Sequence, residues 1–291
     1  MQKIITLILI FVFPILLVQC GGNITYEAHF KSWVCQYENI DIDALRNTNF
    51  EIVVIDYAND SNEFTSEEIE SLKSSGKIVL AYLNIGRAED WRFYWDTLDK
   101  NIVNEEDPDW PGEYYVDFWD DRWWEQALKP YIDKIISQGF NGLFLDRIDA
   151  FQDYERPEDM KNLVLRIKNY IPSDMLITAL NAEDIIQYLN PPEEYLNAID
   201  FLAVESLFYK GTEKRTYAYI KYRVSFIRIF QNNGIEILSL DYVDDGTGYT
   251  GENKTRIDDY LELCSSNGFV PYVARNDVGL SLINIIPGIQ E

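Results

Sequence analysis

Eight short apolar segments, at residues 33–37, 51–57, 77–85, 141–147, 175–181, 199–206, 235–242 and 269–275, recur along this chain with helical or loop patterns between them. That recurrence constrains the fold more than any other feature. Strands alternating with helices pair in parallel, and eight of them in 291 residues suit an α/β architecture of the (β/α)8 TIM-barrel type. A doubly wound open sheet is the other architecture the pattern allows. What ends each segment favours the barrel: Asp56, Asn84, Asp146, Asn181, Glu205, Asp241 and Asn276 all stand at or just past an apolar run. Any one of them could be a turn or cap residue, but seven in phase match a barrel mouth, where the carboxyl ends of all strands open on one face.

The stretch 139–149, GFNGLFLDRID, is the clearest single unit. Gly139 follows a run with helical spacing and reads as the residue just past a helix end, where a left-handed backbone costs glycine little. Leu143, Phe144 and Leu145 then form an apolar run without alternation, as expected of a parallel strand covered on both faces. Asp146, Arg147 and Asp149 follow at its carboxyl end; Asp146 is there either a chemical group or a cap for the next helix. Upstream, Thr65 with Glu68 three residues later has the spacing of a capping box and opens the helix before the third strand.

Composition narrows the chemistry. The chain has 25 Lys and Arg against 49 Asp and Glu, a formal net charge of -24. Such a surface repels nucleic-acid phosphates and anionic lipid headgroups and suits a cationic or neutral polymer, although acidity of this kind also simply keeps a protein soluble. The one histidine, His29, lies before the first strand, so Ser-His-Asp catalysis and His-rich metal sites have almost nothing to build on. Carboxylates are the chemistry that remains, and neither a cofactor nor a metal is expected.

The amino terminus reads as a targeting segment. Lys3 supplies a positive start, and residues 4–18 form an apolar stretch of signal-peptide length, short for a membrane span. The following LVQCGG resembles a bacterial lipoprotein box, with cleavage before Cys20 leaving a lipidated cysteine. The expected organisation is a signal peptide at 1–19, a linker at 20–31 and a catalytic-type barrel at 32–291. The protein would be exported, as an envelope lipoprotein held to the membrane through Cys20; ordinary secretion and an uncleaved anchor are the alternatives. Cys35 and Cys264 remain, and are read as buried and unpaired.

The longest insert, residues 87–130 after the third strand, holds Trp91, Tyr94, Trp95, Trp110, Tyr114, Tyr115, Trp119, Trp123 and Trp124. Aromatics concentrated on a loop at the functional face suggest a platform for flat sugar faces, with roughly half expected only to pack the insert onto the barrel. Residues 246–251, GTGYTG, match GxGxxG, but Asp244 and Asp245 stand between the strand and the turn, and their charge opposes a pyrophosphate. This segment is read as a flexible Gly-rich loop.

With the strands placed, the chain resembles glycoside hydrolase family 114, the endo-α-1,4-polygalactosaminidase-like barrels. The residues that carry the resemblance are 55–58 (IDYA), 81–86 (AYLNIG) with Glu89, Arg92, Tyr94 and Trp95, the 139–149 stretch, and 204–206 (VES). The resemblance spans roughly residues 33–278 and implies two catalytic carboxylates, which carry over onto Asp146 and Glu205. Two positions depart: Arg87 stands where a small or acidic residue is expected, and Asn141 replaces an Asp. Arg87 near the mouth would repel an amino sugar.

The pair makes chemical sense from the residues alone, since glycoside cleavage needs one protonated carboxyl at the leaving oxygen and one carboxylate as nucleophile or base. Strand ends two apart start about 10 Å apart, and inward-pointing side chains shorten that. Glu205, on the more apolar strand, is the expected acid. Asp56, Tyr57, Tyr82, Asn84, Arg87, Trp95, Trp119, Asp241, Tyr242 and Asn276 are the expected sugar-binding residues. A glycan-binding surface lipoprotein without turnover is the rival reading, and a structural envelope barrel a third.

Overall fold

The computed structural model describes residues 26–59 and 62–291, together with the backbone of two short strands, Gln19–Cys20 and Asn23–Ile24. Residues 1–18 of the expected signal peptide and the side chain of Cys20 lie outside the described residues. The eight expected strands all form: β1 (Trp33–Gln36), β2 (Ile52–Ile55), β3 (Ile78–Asn84), β4 (Gly142–Asp146), β5 (Leu176–Leu180), β6 (Phe201–Glu205), β7 (Glu236–Asp244) and β8 (Val270–Arg275). They pair in parallel in chain order, each with its sequence neighbours, which makes an open sheet wound in two directions impossible.

The barrel is nearly closed. Among the described residues no ladder joins β1 to β8; instead the Trp33 indole Nε1 donates to the Ser239 and Val270 carbonyls at 3.3 and 3.1 Å, and the Tyr37 N–H donates to Leu280 O just beyond β8. One large side chain thus replaces a missing rung. The same indole stacks on Phe144 and packs against Tyr272, plugging the lower barrel with aromatic rings. Every residue of β2 is buried, as parallel strands with a filled interior and a helical jacket require.

Local chemistry sets the junctions. The helix Ser66–Lys73 opens with a complete capping box between Thr65 and Glu68. The helix Lys129–Gln138 starts with Pro130 in its first turn and stops at Gly139 in the left-handed conformation, which hands the chain to β4. Gly86, after β3, is required by closeness: a Cβ there would lie 2.1 Å from Arg147 O and 2.6 Å from Ala150 Cβ. The turns after β3 and β4 therefore touch backbone to backbone.

The insert folds into its own three-stranded antiparallel sheet, with Glu113–Val116 between Arg87–Glu89 and Val103–Glu106. Cys35 and Cys264 are both buried and free. The Gly-rich loop differs from its expectation. Asp244 accepts from Gly246 N–H and Asn253 Nδ2, Asp245 accepts from Thr247, and Asn253 also bonds Gly248 O, so the segment is pinned by side chains before the helix Gly251–Asn267 begins.

Candidate active site

The carboxyl ends of the strands open into a cavity of about 790 Å³. Its floor is Trp33, Cys35, Phe144, Leu180 and Leu240, and its walls include Tyr37, Asp56, Tyr82, Glu89, Arg92, Glu113, Asp146, Arg147, Asp149, Glu205, Tyr242 and Asn276. Asp146 and Glu205 end β4 and β6 and both face this space.

Each of the two carboxyls has a tyrosine donor from a neighbouring strand. Tyr82 on β3 donates its hydroxyl to Asp146 Oδ2 at 2.8 Å, and the Arg147 N–H donates to Asp146 Oδ1 at 2.7 Å. Tyr242 on β7 donates to Glu205 Oε1 at 2.5 Å. Burial pushes the Glu205 carboxyl above its ordinary range, opposed by the Tyr242 hydrogen bond and reinforced by the negative charge of Asp146. Tyr37 packs on Tyr82 with ring centroids 4.5 Å apart, so the Asp146 donor is wedged in place.

The loops leaving β4, β5 and β6 share a backbone device. Arg147, Asn181 and Ser206 each follow directly on a strand with positive φ, at 61°, 54° and 52°. Non-glycine residues adopt this conformation at a cost, and such strain collects where a side chain must be aimed. Here it turns the chain sharply at three successive points of the mouth. Asn181 Oδ1 accepts from Glu205 N–H at 2.9 Å and from Arg223 at 3.1 Å, while Arg223 also donates to Glu205 O and pairs with Glu183. The ends of β5 and β6 are thereby locked together beneath Glu205.

A second layer of charge comes from the insert. Glu113 holds Arg147 through bonds of 2.9 and 2.7 Å, and burial pushes the Glu113 carboxyl up to about 7. Arg92 bridges Glu89 and Asp56 at 2.7 Å each, and burial raises Glu89 as well. Trp91 and Trp110, 55% and 56% exposed, stand at the rim, with the Arg147 guanidinium over the Trp110 ring.

Of the residues expected to be catalytic or sugar-binding, Asp146, Glu205, Asp56, Tyr82, Tyr242 and Asn276 line the cavity, whereas Tyr57, Asn84, Arg87, Trp95, Trp119 and Asp241 do not. Asn84 turns its Oδ1 to the Gly86 and Arg87 amides, and Asp241 accepts the Leu207, Phe208 and Tyr209 amides, so both build loops. Tyr57 packs against Phe93 and Tyr131. Trp95 packs on Tyr114 under Lys100, and Trp119 packs on Phe118 and Tyr154 under Arg156. The aromatic rim is therefore Trp91 and Trp110, not Trp95 and Trp119.

Arg87 also departs from its expected place. It is buried behind the insert, paired with Asp153 at 2.7 Å and Asp107 at 3.3 Å, and lies over the Tyr115 ring. With its charge engaged there, it presents no cation to the cavity. Asn141 accepts the Val79 N–H at the far end of β4, a sheet contact at the opposite pole from the mouth. Glu113, Tyr37 and Arg223 were not signalled by the sequence: Glu113 sits on an insert strand, and the other two are distinguished only by what they meet in space.

A model of glycoside-hydrolase family GH114 matches residues 22–286. An uncharacterized protein of Thermotoga maritima is 39% identical over 280 residues, covering 90% of this chain and 85% of the relative. One from Methanocaldococcus jannaschii is 37% identical over 271 residues, covering 87% and 78%. Among solved structures, Aspergillus fumigatus Ega3 in complex with galactosamine aligns with a TM-score of 0.68 at 18% identity, over 89% of this chain and 98% of that one. The glycoside hydrolase domain of PelA from Pseudomonas aeruginosa aligns with a TM-score of 0.68 at 18% identity, over 87% and 97%. At such identities the two structures speak for the fold.

Proposed function

This chain belongs to glycoside-hydrolase family GH114, and from that premise we propose that it cleaves an amino-sugar polymer, α-1,4-linked and containing galactosamine, with Asp146 and Glu205 as its catalytic pair. The observation that carries the reading is that these two carboxyls end β4 and β6 inside one cavity, each bound by its own tyrosine. Glu205, raised by burial, is the proton donor to the departing glycosidic oxygen. Asp146, with one hydrogen bond to each oxygen, is the carboxylate that attacks the anomeric carbon or activates water.

A cationic sugar fits the walls. The cavity lining carries Glu38, Asp56, Glu89, Glu113, Asp146, Asp149 and Glu205 against Arg92 and Arg147, and carboxylates hold both arginines. Arg87, whose charge would oppose an amine, is turned away to Asp107 and Asp153. Asp56, Tyr82, Tyr242 and Asn276 are the residues of the original set left to position the sugar.

Asp146→Asn and Glu205→Gln keep shape and remove a charge or a proton, so each is expected to lower the hydrolysis rate about 10²-fold or more. The double variant should be little worse than the worse single one. The assay is release of reducing ends from α-1,4-galactosamine polymer and from a panel of neutral polysaccharides. Wild-type rates in both variants would overturn the pair; tight binding without cleavage by the wild type would transfer the case to a glycan-binding lipoprotein. Export and lipidation at Cys20 are part of the same proposal, supported by the apolar run 4–18 and the LVQCGG sequence. Cys20→Ser should release the protein from the membrane fraction or block its processing, and unchanged fractionation would reject the anchor.

A further inference from the structure

The helix Tyr217–Asn232 is out of character with the rest of this molecule. In a chain of net charge -24, the stretch 214–235 holds Lys214, Arg215, Lys221, Arg223 and Arg228 and not one Asp or Glu. Its outer surface is also apolar: Tyr217 is 79% exposed, Tyr222 54% and Ile229 39%. With Lys221 and Ser225, also exposed, these residues form one continuous outward stripe at helical spacing. Phe226, half-buried, flanks it with its ring on that of Tyr222. Arg223 points the other way, to Glu183 and the mouth, whereas Lys221 makes no ion pair among the described residues.

Tyr26, near the start of the described residues, packs at the carboxyl end of this same helix. The Tyr26 hydroxyl donates to Asn232 Oδ1 at 2.6 Å, and Arg228 lies over the Tyr26 ring. Cys20 is six residues upstream, a span of at most about 20 Å. The apolar residues 4–18 come just before that. This inference rests on the anchor proposed above: with the amino-terminal segment lipidated at Cys20 or retained, the helix is held close to a bilayer.

We propose that the outward stripe of the helix Tyr217–Asn232 is the face this protein lays on the membrane. Tyrosine suits the headgroup region, where its ring is buried and its hydroxyl stays wet; Ile229 enters the acyl boundary. Lys221 reaches a lipid phosphate along its apolar stem. An anionic headgroup layer repels the acidic faces of the barrel and accepts this one, so charge sets the orientation as well as the contact. The barrel then rests on its flank, and the cavity opens along the membrane plane.

The test uses the full chain reconstituted into vesicles of phosphatidylcholine and phosphatidylglycerol carrying radiolabelled lipid, with the photoreactive residue benzoylphenylalanine placed at Tyr222, at Ile229 or at Glu67. Glu67 is exposed on the helix Ser66–Lys73, on the opposite side of the barrel. Lipid adducts are expected from 222 and 229 at severalfold the yield from 67, and adding Ile229→Glu should remove the difference at 222. Circular dichroism of each variant checks that the barrel is intact. Equal lipid labelling at all three positions would overturn the proposal, as would adducts from 222 and 229 that are mainly to a second copy of the chain.

Discussion

Tyr242→Phe isolates one hydrogen bond of the proposed mechanism. The ring and its packing stay, and only the hydroxyl that Glu205 Oε1 accepts at 2.5 Å is lost. That bond favours the charged carboxylate and opposes the burial that raises the group. A hydrogen bond to a charged group contributes about 1.5–3 kcal/mol. At 1.36 kcal/mol per unit, its loss should raise the Glu205 pKa by roughly one to two units. If protonated Glu205 is the acid, activity is lost as pH rises through its pKa, so the alkaline limb of kcat/KM should move up by that amount while the acid limb stays. The assay is initial rate against pH on the polymer, with a thermal melt to show that the variant is folded. Movement of the acid limb instead would make Glu205 the base or nucleophile and reverse the assigned roles. Limbs superimposable on the wild type would refute the argument altogether.

Two further outcomes are expected. Trp91→Ala should raise KM for polymer by up to about tenfold with kcat unchanged, because a stacked aromatic contact contributes on the order of 1 kcal/mol and the indole lies at the rim; an unchanged KM would remove the rim from substrate binding. Gly86→Ala should cost about 1–3 kcal/mol or more in stability, because its Cβ meets Arg147 O at 2.1 Å, and should also slow turnover by disturbing the residue whose N–H binds Asp146; a melt and rate equal to wild type would refute it.

The barrel was legible in the sequence because parallel strands covered on both faces must be apolar throughout, and each expected segment matched an observed strand to within two residues at either end. The helix stops and starts were legible where one residue type answers one backbone need, as at Thr65 and Gly139. The direction of a side chain at a strand end was not. Successive residues point to opposite faces, so Tyr242 reaches the cavity while its neighbour Asp241 serves the loop after β6, and Asp56 lines the wall while Tyr57 packs behind it. The insert was legible as aromatic but not as a surface, since its antiparallel pairing decides that Trp91 and Trp110 stand at the rim while Trp95 and Trp119 pack elsewhere. Arg87 shows the same limit: one sequence step places it beside the mouth, and only the burial of its charge between Asp107 and Asp153 takes it out of the cavity. Short-range sequence determines which elements form, because each element satisfies its own backbone; which charges meet across them is decided by contacts between residues far apart in the chain, and those exist only once the barrel has closed.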